Sequence, residues 1–386
     1  MKKLSEEIAH YLQRLFPLNR SLTGEGNRET LRIISEIAPV RLFEYPSGSR
    51  IYDWMIPDEW HVREAWIKDS SGRILVDFLR NNLHLMGYSV PVRRTMSFAE
   101  LRPHLHVHPF LKDAIPYHTS YFKKQWGFCL STEQLESLFS PEGIYEVCVD
   151  SELKPGSLTV GEILLPGTSQ KEYLVSTYIC HPSLANDNLS GILLTALLAR
   201  EWATRKRNFG YRFIFVPETL GALAYCANNE AAVKDLMGAL VVTGVGGPGS
   251  FSYKQSFQKE HFLNGMVEDT LNELHRAFLT YPFDIHGSDE RQYSSPGFRI
   301  NTVTISRDRY YEYPEYHSSL DNLEFVRPEY LLSCYEAYLR LLEKMDQNLV
   351  FIRTEPHGEP RLGARGLYPE TGGGSGPNGM ERVSWT

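Results

Sequence analysis

Residues 177–191 read Thr-Tyr-Ile-Cys-His-Pro-Ser-Leu-Ala-Asn-Asp-Asn-Leu-Ser-Gly and join two apolar segments. The run over residues 173–179 is long enough and apolar enough to predict a buried parallel strand. The run over residues 191–199, Gly-Ile-Leu-Leu-Thr-Ala-Leu-Leu-Ala, predicts a buried helix. The segment is therefore predicted to be a strand–turn–helix unit of an α/β protein.

The polar turn of this unit carries His181 and Asp187. Open α/β sheets bind ligands at the carboxyl ends of their strands, and a neutral imidazole with a carboxylate is a common part of a zinc site. The ordinary alternative is that His181 precedes a proline turn and Asp187 caps the helix. On this turn alone the ordinary interpretation is the stronger one, so a metal site needs partners from elsewhere in the chain.

Length and composition indicate an ordinary globular protein. The chain has 386 residues, 42% hydrophobic and 23% charged, which predicts one large domain with an insertion or two domains. A formal charge of −7 and a pI near 6.0 give no electrostatic reason to expect nucleic acid or an anionic membrane as a partner. We expect a small-molecule or peptide substrate, and a homo-oligomer remains open.

The N-terminal residues mix charges into an amphipathic pattern, and no apolar run is long enough for a membrane span, so we expect a cytoplasmic protein. Five scattered cysteines without a CxxC pair indicate reduced thiols. Cys180 adjoins His181, but neighbouring strand residues point to opposite faces, so Cys180 is predicted to lie in the core.

Alternating strands and helices between residues 170 and 348 predict a doubly wound, mostly parallel sheet flanked by helices. The predicted elements include a strand and hairpin over residues 144–165, and helices near 266–279 and 328–348. Further polar residues follow predicted strands, namely Glu218, Asp289 and His317. Because the carboxyl ends of parallel strands share one edge, these side chains can meet the turn that holds His181 and Asp187.

The segment from about residue 46 to residue 134 has short strands, many prolines and a predicted helix over residues 75–85. It predicts a small mixed α+β domain inserted into a catalytic domain made of residues 1–45 and 135–350. A rival metal site lies within this segment, because His104, His106 and His108 would share one face of a strand. Imidazoles on one strand face splay apart, so a polar strand face is the stronger interpretation.

The polar residues after the predicted strands also carry a family resemblance. The spacing of His181, Asp187, Glu218, Asp289 and His317 resembles the zinc aminopeptidase superfamily, with its leucyl aminopeptidases and glutaminyl cyclases. The more specific segments resemble bacterial aminopeptidase-like proteins associated with polysaccharide biosynthesis. Those segments are Phe-Pro-Leu-Asn-Arg-Ser-Leu-Thr-Gly-Glu-Gly-Asn-Arg over 16–28, Cys-His-Pro-Ser over 180–183, Gly-Ser-Asp-Glu-Arg-Gln-Tyr over 287–293 and Glu-Tyr-His-Ser-Ser-Leu-Asp-Asn over 315–322. Residues 351–386 are expected to be a disordered tail that lacks the winged helix of many relatives.

The resemblance implies a metal site with fewer ligands than the two-zinc site of the superfamily. His181, Asp187 and His317 match two histidines and the bridging aspartate, and Glu218 matches the general base. Thr219 and residues 241–243 stand where two further carboxylates are expected. We therefore expect one Zn²⁺ with three protein ligands, and a water acidified toward a pKa of about 7 and deprotonated by Glu218.

The resemblance also implies a substrate pocket at residues 288–291. Asp289 or Glu290 could receive an amine and Arg291 a carboxylate or phosphate, or these side chains could pair with each other. Tyr316 offers an aromatic face for a sugar or peptide. The expected activity is hydrolysis of an amide bond in a peptide, aminoacyl or amino-sugar conjugate. Acyl transfer of the glutaminyl cyclase type, or zinc or carbohydrate binding without catalysis, stay open as alternatives.

Overall fold

The computed structural model describes residues 2–121, 123–284, 286–309, 311–349, 357–358 and 361–366. One compact unit spans Met1–Gln347, and a short second unit spans Asn348–Thr386. Most of the predicted C-terminal tail lies outside the described residues. Among the described residues, no helix combines the length and the apolar character needed to cross a membrane.

The α-helices of the described chain are α1 Lys2–Leu15, α2 Glu25–Ile34, α3 Phe98–Leu101, α4 Thr132–Leu138, α5 Gly191–Ala203, α6 Leu220–Asn228, α7 Glu230–Lys234, α8 Phe262–Glu273, α9 Glu290–Tyr293 and α10 Pro328–Asp346. Short 3₁₀ turns cover Asn82–His84, Arg102–His104 and Leu362–Arg365, and a π-type turn covers Ala185–Ser190. This π-type turn contains Asp187 and leads directly into α5.

The strands are β1 Arg41–Pro46, β2 Arg50–Ile51, β3 Trp54–Met55, β4 Glu59–Asp69, β5 Ile74–Asp77, β6 Val92–Ser97, β7 Leu105–His106, β8 Phe128–Cys129, β9 Ile144–Lys154, β10 Ser157–Leu165, β11 Glu172–Tyr178, β12 Gly210–Val216, β13 Ala239–Val241, β14 Phe251–Lys254, β15 Phe278–Tyr281 and β16 Thr302–Ser306. Eight of them form one sheet in the order β1-β10-β12-β11-β13-β16-β14-β15. Strands β5, β4, β9 and β6 form a second, antiparallel sheet.

The α/β class is confirmed, and the large sheet is mixed. Its centre, β12-β11-β13-β16, is parallel as predicted. Antiparallel pairs flank this centre, because β10 pairs antiparallel with both β1 and β12, and β14 pairs antiparallel with β16. The parallel centre brings the carboxyl ends of β11 and β12 to one edge, which is where the candidate site lies.

Both faces of the large sheet are buried. Phe213 and Phe215 of β12 belong to a core cluster with helices α1, α2, α5, α8 and α10. Ile214 and Val216, which point the other way, belong to a second cluster with α6 and the four-stranded sheet. This two-sided burial explains the continuous apolar runs of the central strands.

The small sheet extends past the insertion predicted at residues 46–134. Its strand β9 pairs with β4 and β6, and the chain passes at Pro155 and Gly156 into β10 of the large sheet. The hairpin predicted over residues 144–165 is therefore wrong, since β9 and β10 lie in different sheets. The domain boundaries themselves stay a prediction.

The helix predicted over residues 75–85 is also wrong. Residues 74–77 form β5 and residues 82–84 form a 3₁₀ turn. The Asp77 carboxylate accepts the backbone N–H of Leu79 at 2.9 Å, and Asn81 Oδ1 accepts that of Leu83 at 3.0 Å. Such local bonds offer the backbone an alternative to helix, which hydrophobic periodicity does not reveal. The helix expected near 266–279 begins earlier, at Phe262, and ends at Glu273.

Candidate metal centre

His181 lies just past the end of β11, and its side chain is buried. Its ring centroid is 5.1 Å from that of Tyr178, 5.2 Å from that of Tyr117 and 5.4 Å from that of His317. Its backbone carbonyl accepts a hydrogen bond from Arg20 Nε at 2.8 Å. Burial disfavours the imidazolium and lowers the pKa of His181 to about 4, so the ring is neutral near pH 7.

Asp187 lies in the π-type turn, and its carboxylate is buried between hydroxyl and imidazole groups. The Tyr178 hydroxyl donates to Oδ1. Oδ2 lies 2.9 Å from His317 Nε2 and 3.9 Å from His181 Nε2. Burial raises the pKa of Asp187, but His181, His317 and Tyr178 together outweigh it and hold the pKa at about 2. The peptide bond between Asp187 and Asn188 is cis.

His317 comes from the loop that follows β16. Its φ of 53° is in the left-handed region, its ring stacks on Tyr316 at 3.9 Å, and its carbonyl accepts the N–H of Tyr117 at 2.8 Å. The contacts with Tyr316 and Tyr117 therefore hold His317 in a backbone conformation that residues other than glycine rarely adopt. His317 Nε2 points at the Asp187 carboxylate.

These three side chains fit a zinc ion. One donor atom from each of His181, Asp187 and His317 lies within 4.8 Å of the others. Asp187 Oδ2 and His317 Nε2 are buried 2.9 Å apart without the geometry of a hydrogen bond, and neither atom has another hydrogen-bond partner, an arrangement that is costly unless something binds them. Two imidazole nitrogens and one carboxylate oxygen are a donor set that zinc prefers, with a fourth position open for water or substrate.

Glu218 lies two residues past the end of β12, beside His181, which follows β11. Its Oε2 is 4.0 Å from His181 Nε2, and its backbone N–H donates to Cys180 Sγ at 3.2 Å. Burial and the charge of Asp187 raise the pKa of Glu218 to about 7. The carboxylate is thus within reach of a water or substrate held at the three-residue cluster.

Hydroxyl groups occupy the positions where further metal-binding carboxylates were expected. Thr243 Oγ1 lies 2.7 Å from the Tyr178 hydroxyl, which in turn donates to Asp187. Thr219 has a φ of 63°, and its backbone N–H donates to Asp289 Oδ1 at 2.7 Å. Thr243 and Tyr178 thus form a chain of neutral hydroxyl contacts that ends at the Asp187 carboxylate.

Asp289 and Glu290 lie beneath the site rather than on the cavity wall. Asp289 is fully buried under the 218–219 turn, and burial and the charge of Glu218 raise its pKa well above the ordinary value. Glu290 is buried in an ion pair with Lys254 at 3.0 Å and accepts the N–H of Ser288 at 2.9 Å. Arg291 is exposed, and its Nε donates to the Ser288 carbonyl at 3.1 Å. The amine-binding role expected for Asp289 or Glu290 has no support in these contacts.

Tyr316 is half-buried in a group of aromatic side chains beside the metal cluster. Besides stacking on His317, it lies 4.9 Å from Tyr311 and 5.5 Å from Tyr313, measured between ring centroids. Its contacts fit a role in orienting His317, and its role in substrate binding stays a prediction.

The alternative metal site considered at His104, His106 and His108 does not have the predicted structure. Strand β7 is only two residues long, so the three side chains share no strand face. His104 stacks on Trp126 at 3.7 Å, and His108 Nδ1 accepts the N–H of Leu111 at 2.9 Å. Among the described residues, the groups that could hold a metal ion contain none of His104, His106 and His108.

A cavity of about 280 Å³ opens onto the cluster. The described residues that line it are Leu22, Trp54, Tyr117, Thr119, Tyr121, Cys180, His181, Glu218, Thr219, Leu220 and His317. His181, His317 and Glu218 therefore lie at the wall of an aromatic and apolar pocket, the kind of concave surface that binds small ligands.

Comparisons with known proteins identify the family of the chain. The model of the family described as Domain of unknown function (DUF4910) matches residues 9–348. The chain belongs to this family. A Clostridium acetobutylicum relative, provisionally named a polysaccharide biosynthesis protein with an aminopeptidase-like domain, is 40% identical over 369 residues, which cover 96% of this chain and 84% of that protein. The resemblance inferred from the sequence motifs is confirmed.

Solved structures show the fold of the DUF4910 chain. A crystal structure of a provisionally assigned peptidase from Clostridium acetobutylicum matches with a TM-score of 0.88 and 39% identity, over 94% of this chain and 85% of that one. A zinc aminopeptidase from Bacillus subtilis matches with a TM-score of 0.62 and 12% identity, over 88% of this chain and 94% of that one. At 12% identity the second match shows the fold alone.

Several supporting residues of this DUF4910 site were not identified from the sequence. Arg20 is buried, with its Nε on the His181 carbonyl and its Nη1 on the Leu15 carbonyl. Cys180 is buried, as predicted, but its Sγ lies 3.5 Å from His181 Nδ1 instead of on the opposite face, because both residues follow the end of β11 and strand alternation does not apply to them. The sequence shows Arg20 only as an arginine in the polar loop before α2, and arginines in such loops are usually exposed, so its burial could not be predicted.

Proposed function

We propose that this protein is a zinc-dependent hydrolase of an amide bond, with His181, Asp187 and His317 holding one Zn²⁺ and Glu218 acting as general base. The observation that carries the proposal is the convergence of His181, Asp187 and His317 beside Glu218, in which Asp187 Oδ2 and His317 Nε2 lie 2.9 Å apart without the geometry of a hydrogen bond. The names of the Clostridium relatives, a peptidase and an aminopeptidase-like protein, support the same reaction class.

Each residue of the proposed site has a separate role in the proposed reaction. A bound zinc ion would supply Lewis acidity, polarising an amide carbonyl and lowering the pKa of a water toward about 7. The neutral His181 ring and the ionised Asp187 carboxylate offer lone pairs near pH 7 without prior loss of a proton. Glu218 is placed to accept a proton from the attacking water and to return it to the leaving amine. The apolar walls exclude bulk water and hold the acyl group.

Replacement of Glu218 tests the proposal. Glu218→Gln keeps the shape of the side chain but removes the base, so we expect hydrolysis to fall by about 10²–10⁴-fold while zinc per chain stays unchanged. A matched control is Glu162→Gln, since Glu162 is a buried carboxylate on β10 that binds Arg212 at 3.1 Å, outside the cavity lining. Turnover that survives Glu218→Gln would contradict the assignment of the base.

A zinc-binding protein without catalysis is the second candidate. The observation that favours it is the pair of positions, Thr219 and Thr243, where hydroxyls stand in place of carboxylates. A purely structural zinc is closed by four protein ligands, whereas this cluster offers three and a general base beside them. Zinc-loaded protein that hydrolyses no amide in a broad panel would favour this second candidate.

A further inference from the structure

We propose that the cavity accepts amides whose acyl group carries no free amine, such as N-acylated amino acids or amino sugars, in preference to α-amino peptides. This inference rests on the proposed function, because it concerns the substrate class of the same site. It follows from the charges that line the cavity and from the partners of the carboxylates around it.

One carboxylate faces the cavity among its described lining residues, and that is Glu218. The remaining described lining is apolar, aromatic, hydroxyl, thiol or imidazole. An ammonium group taken from water into such a cavity needs a carboxylate partner, since a buried unpaired charge is costly. Glu218 cannot serve both as the partner of an amine and as the base for water.

The neighbouring carboxylates lie outside the described cavity lining. Asp289 Oδ1 accepts the N–H of Thr219 at 2.7 Å, while Oδ2 has no hydrogen-bond partner and is buried below the turn. Glu290 is paired with Lys254 at 3.0 Å. Asp187 receives the Tyr178 hydroxyl and faces both histidines. None of these three carboxylates belongs to the described lining of the cavity.

The cavity walls suit an uncharged acyl group. Trp54 comes from the β2–β3 hairpin, Tyr117 and Tyr121 come from the loop between β7 and β8, and Leu220 begins α6. Aromatic and aliphatic faces of this kind pack against an apolar side chain or the face of a sugar ring. A hairpin and a loop outside the large sheet thus supply aromatic walls of the pocket.

The test compares ligands that differ only in an amine. Phenylalaninol and 3-phenylpropan-1-ol share one skeleton and contain no scissile bond, so their binding to the zinc-loaded protein can be measured by calorimetry. We expect the neutral alcohol to bind at least about tenfold more tightly. Hydrolysis should follow the same order, with N-acetylphenylalanine p-nitroanilide cleaved faster than phenylalanine p-nitroanilide.

A carboxylate introduced into the wall should reverse the preference. Thr219 lines the cavity where it could meet an α-amine, and Thr219→Glu should shift binding toward phenylalaninol by about tenfold. Thr219→Gln has the same size without the charge and should leave the preference as in the parent. Tighter or equal binding of phenylalaninol by the parent, or no binding of the neutral alcohol, would overturn the inference.

The outcomes separate this inference from the proposed function. Selective binding of the neutral alcohol without hydrolysis of either anilide would support the proposed ligand preference and contradict the proposed hydrolase activity. Faster hydrolysis of phenylalanine p-nitroanilide than of its acetylated form would support the proposed hydrolase activity and contradict the proposed preference for acylated substrates.

Discussion

At the scale of single residues, Asp187 depends on a neighbour that no zinc motif includes. Tyr178 is the last residue of β11, and its hydroxyl contacts both Asp187 Oδ1 and Thr243 Oγ1. A hydrogen bond to one carboxylate oxygen orients the other toward the metal, and such supporting contacts tune affinity. In the proposed zinc site, the Tyr178 hydroxyl would hold the Asp187 carboxylate in place as a ligand.

Tyr178→Phe should weaken zinc binding by about 10–100-fold, because it removes the donor that orients Asp187. The unfolding free energy should fall by about 1–3 kcal/mol, the cost of leaving a buried acceptor without its partner. A zinc titration with a competing chelator measures the first quantity. Tyr211→Phe is the control, since Tyr211 is a buried tyrosine whose hydroxyl reaches the Leu342 carbonyl at 3.4 Å, away from the site. Equal zinc affinity in parent and Tyr178→Phe would contradict the orienting role.

The residues of the metal cluster could be anticipated from the sequence, whereas those that support them could not. His181, Asp187, Glu218 and His317 lie in loops after predicted strands, and strand order places such loops at one edge. Arg20 and Asp321 gain their roles from contacts over long sequence separations, 161 residues for Arg20 with His181 and 134 for Asp187 with Asp321. No local pattern encodes those separations.

At the scale of elements, the π-type turn Ala185–Ser190 is held from outside by one carboxylate. Asp321 Oδ1 accepts the N–H of Asn186 at 2.5 Å, and Oδ2 accepts the N–H of Asp187 at 2.9 Å. Asp321 follows His317 closely in the same loop, so this contact joins the two chain segments that carry metal ligands. We infer that Asp321 is a positioning residue for the Asp187 turn.

Asp321→Asn should lower zinc affinity about 10–100-fold by loosening the turn. The matched control is Asp346→Asn, because the Asp346 carboxylate also accepts two backbone N–H groups, those of Asn208 at 3.0 Å and Phe209 at 3.2 Å. Both variants should lose stability, by about 1–3 kcal/mol each. Only Asp321→Asn should change the zinc affinity, and an equal change in the control would contradict the positioning role.

The errors in element prediction have local and topological causes. Residues 75–85 have an apolar pattern compatible with helix, but Asp77 and Asn81 satisfy nearby backbone N–H groups and stop it. The hairpin expected at 144–165 failed because a Pro-Gly turn joins strands of two sheets as readily as it joins two strands of one. Turn chemistry predicts where a strand ends, and does not predict which sheet receives the next strand.

At the scale of the whole molecule, the cavity combines residues from distant parts of the chain. His181 and Glu218 follow strands β11 and β12 of the large sheet, and His317 comes from the loop after β16. The β2–β3 hairpin and the β7–β8 loop supply aromatic walls. The sequence predicted the α/β class and the parallel centre, since buried parallel strands have a strong apolar signature. It did not predict the antiparallel flanks or the extent of the small sheet, which depend on pairing between distant segments.

Zinc should stabilise the whole unit. A ligand that binds only the folded chain raises the unfolding free energy by about 2.7 kcal/mol at a hundredfold excess over its dissociation constant. We therefore expect the melting temperature to rise on addition of zinc and to fall again on addition of a chelator. Magnesium is the control, because it prefers all-oxygen ligands and should leave the melting temperature unchanged. A rise that persists in His317→Ala would contradict the assignment of that ligand.

Metal content per chain tests the proposed zinc site most directly. The parent protein, purified without added metal, and its Asp187→Ala variant would be measured side by side by elemental mass spectrometry. We predict about one zinc per parent chain and none in the variant, since Asp187 is the one charged ligand of the cluster. Two zinc ions per parent chain, no zinc even after zinc is supplied, or full zinc content in Asp187→Ala would contradict the single three-ligand site.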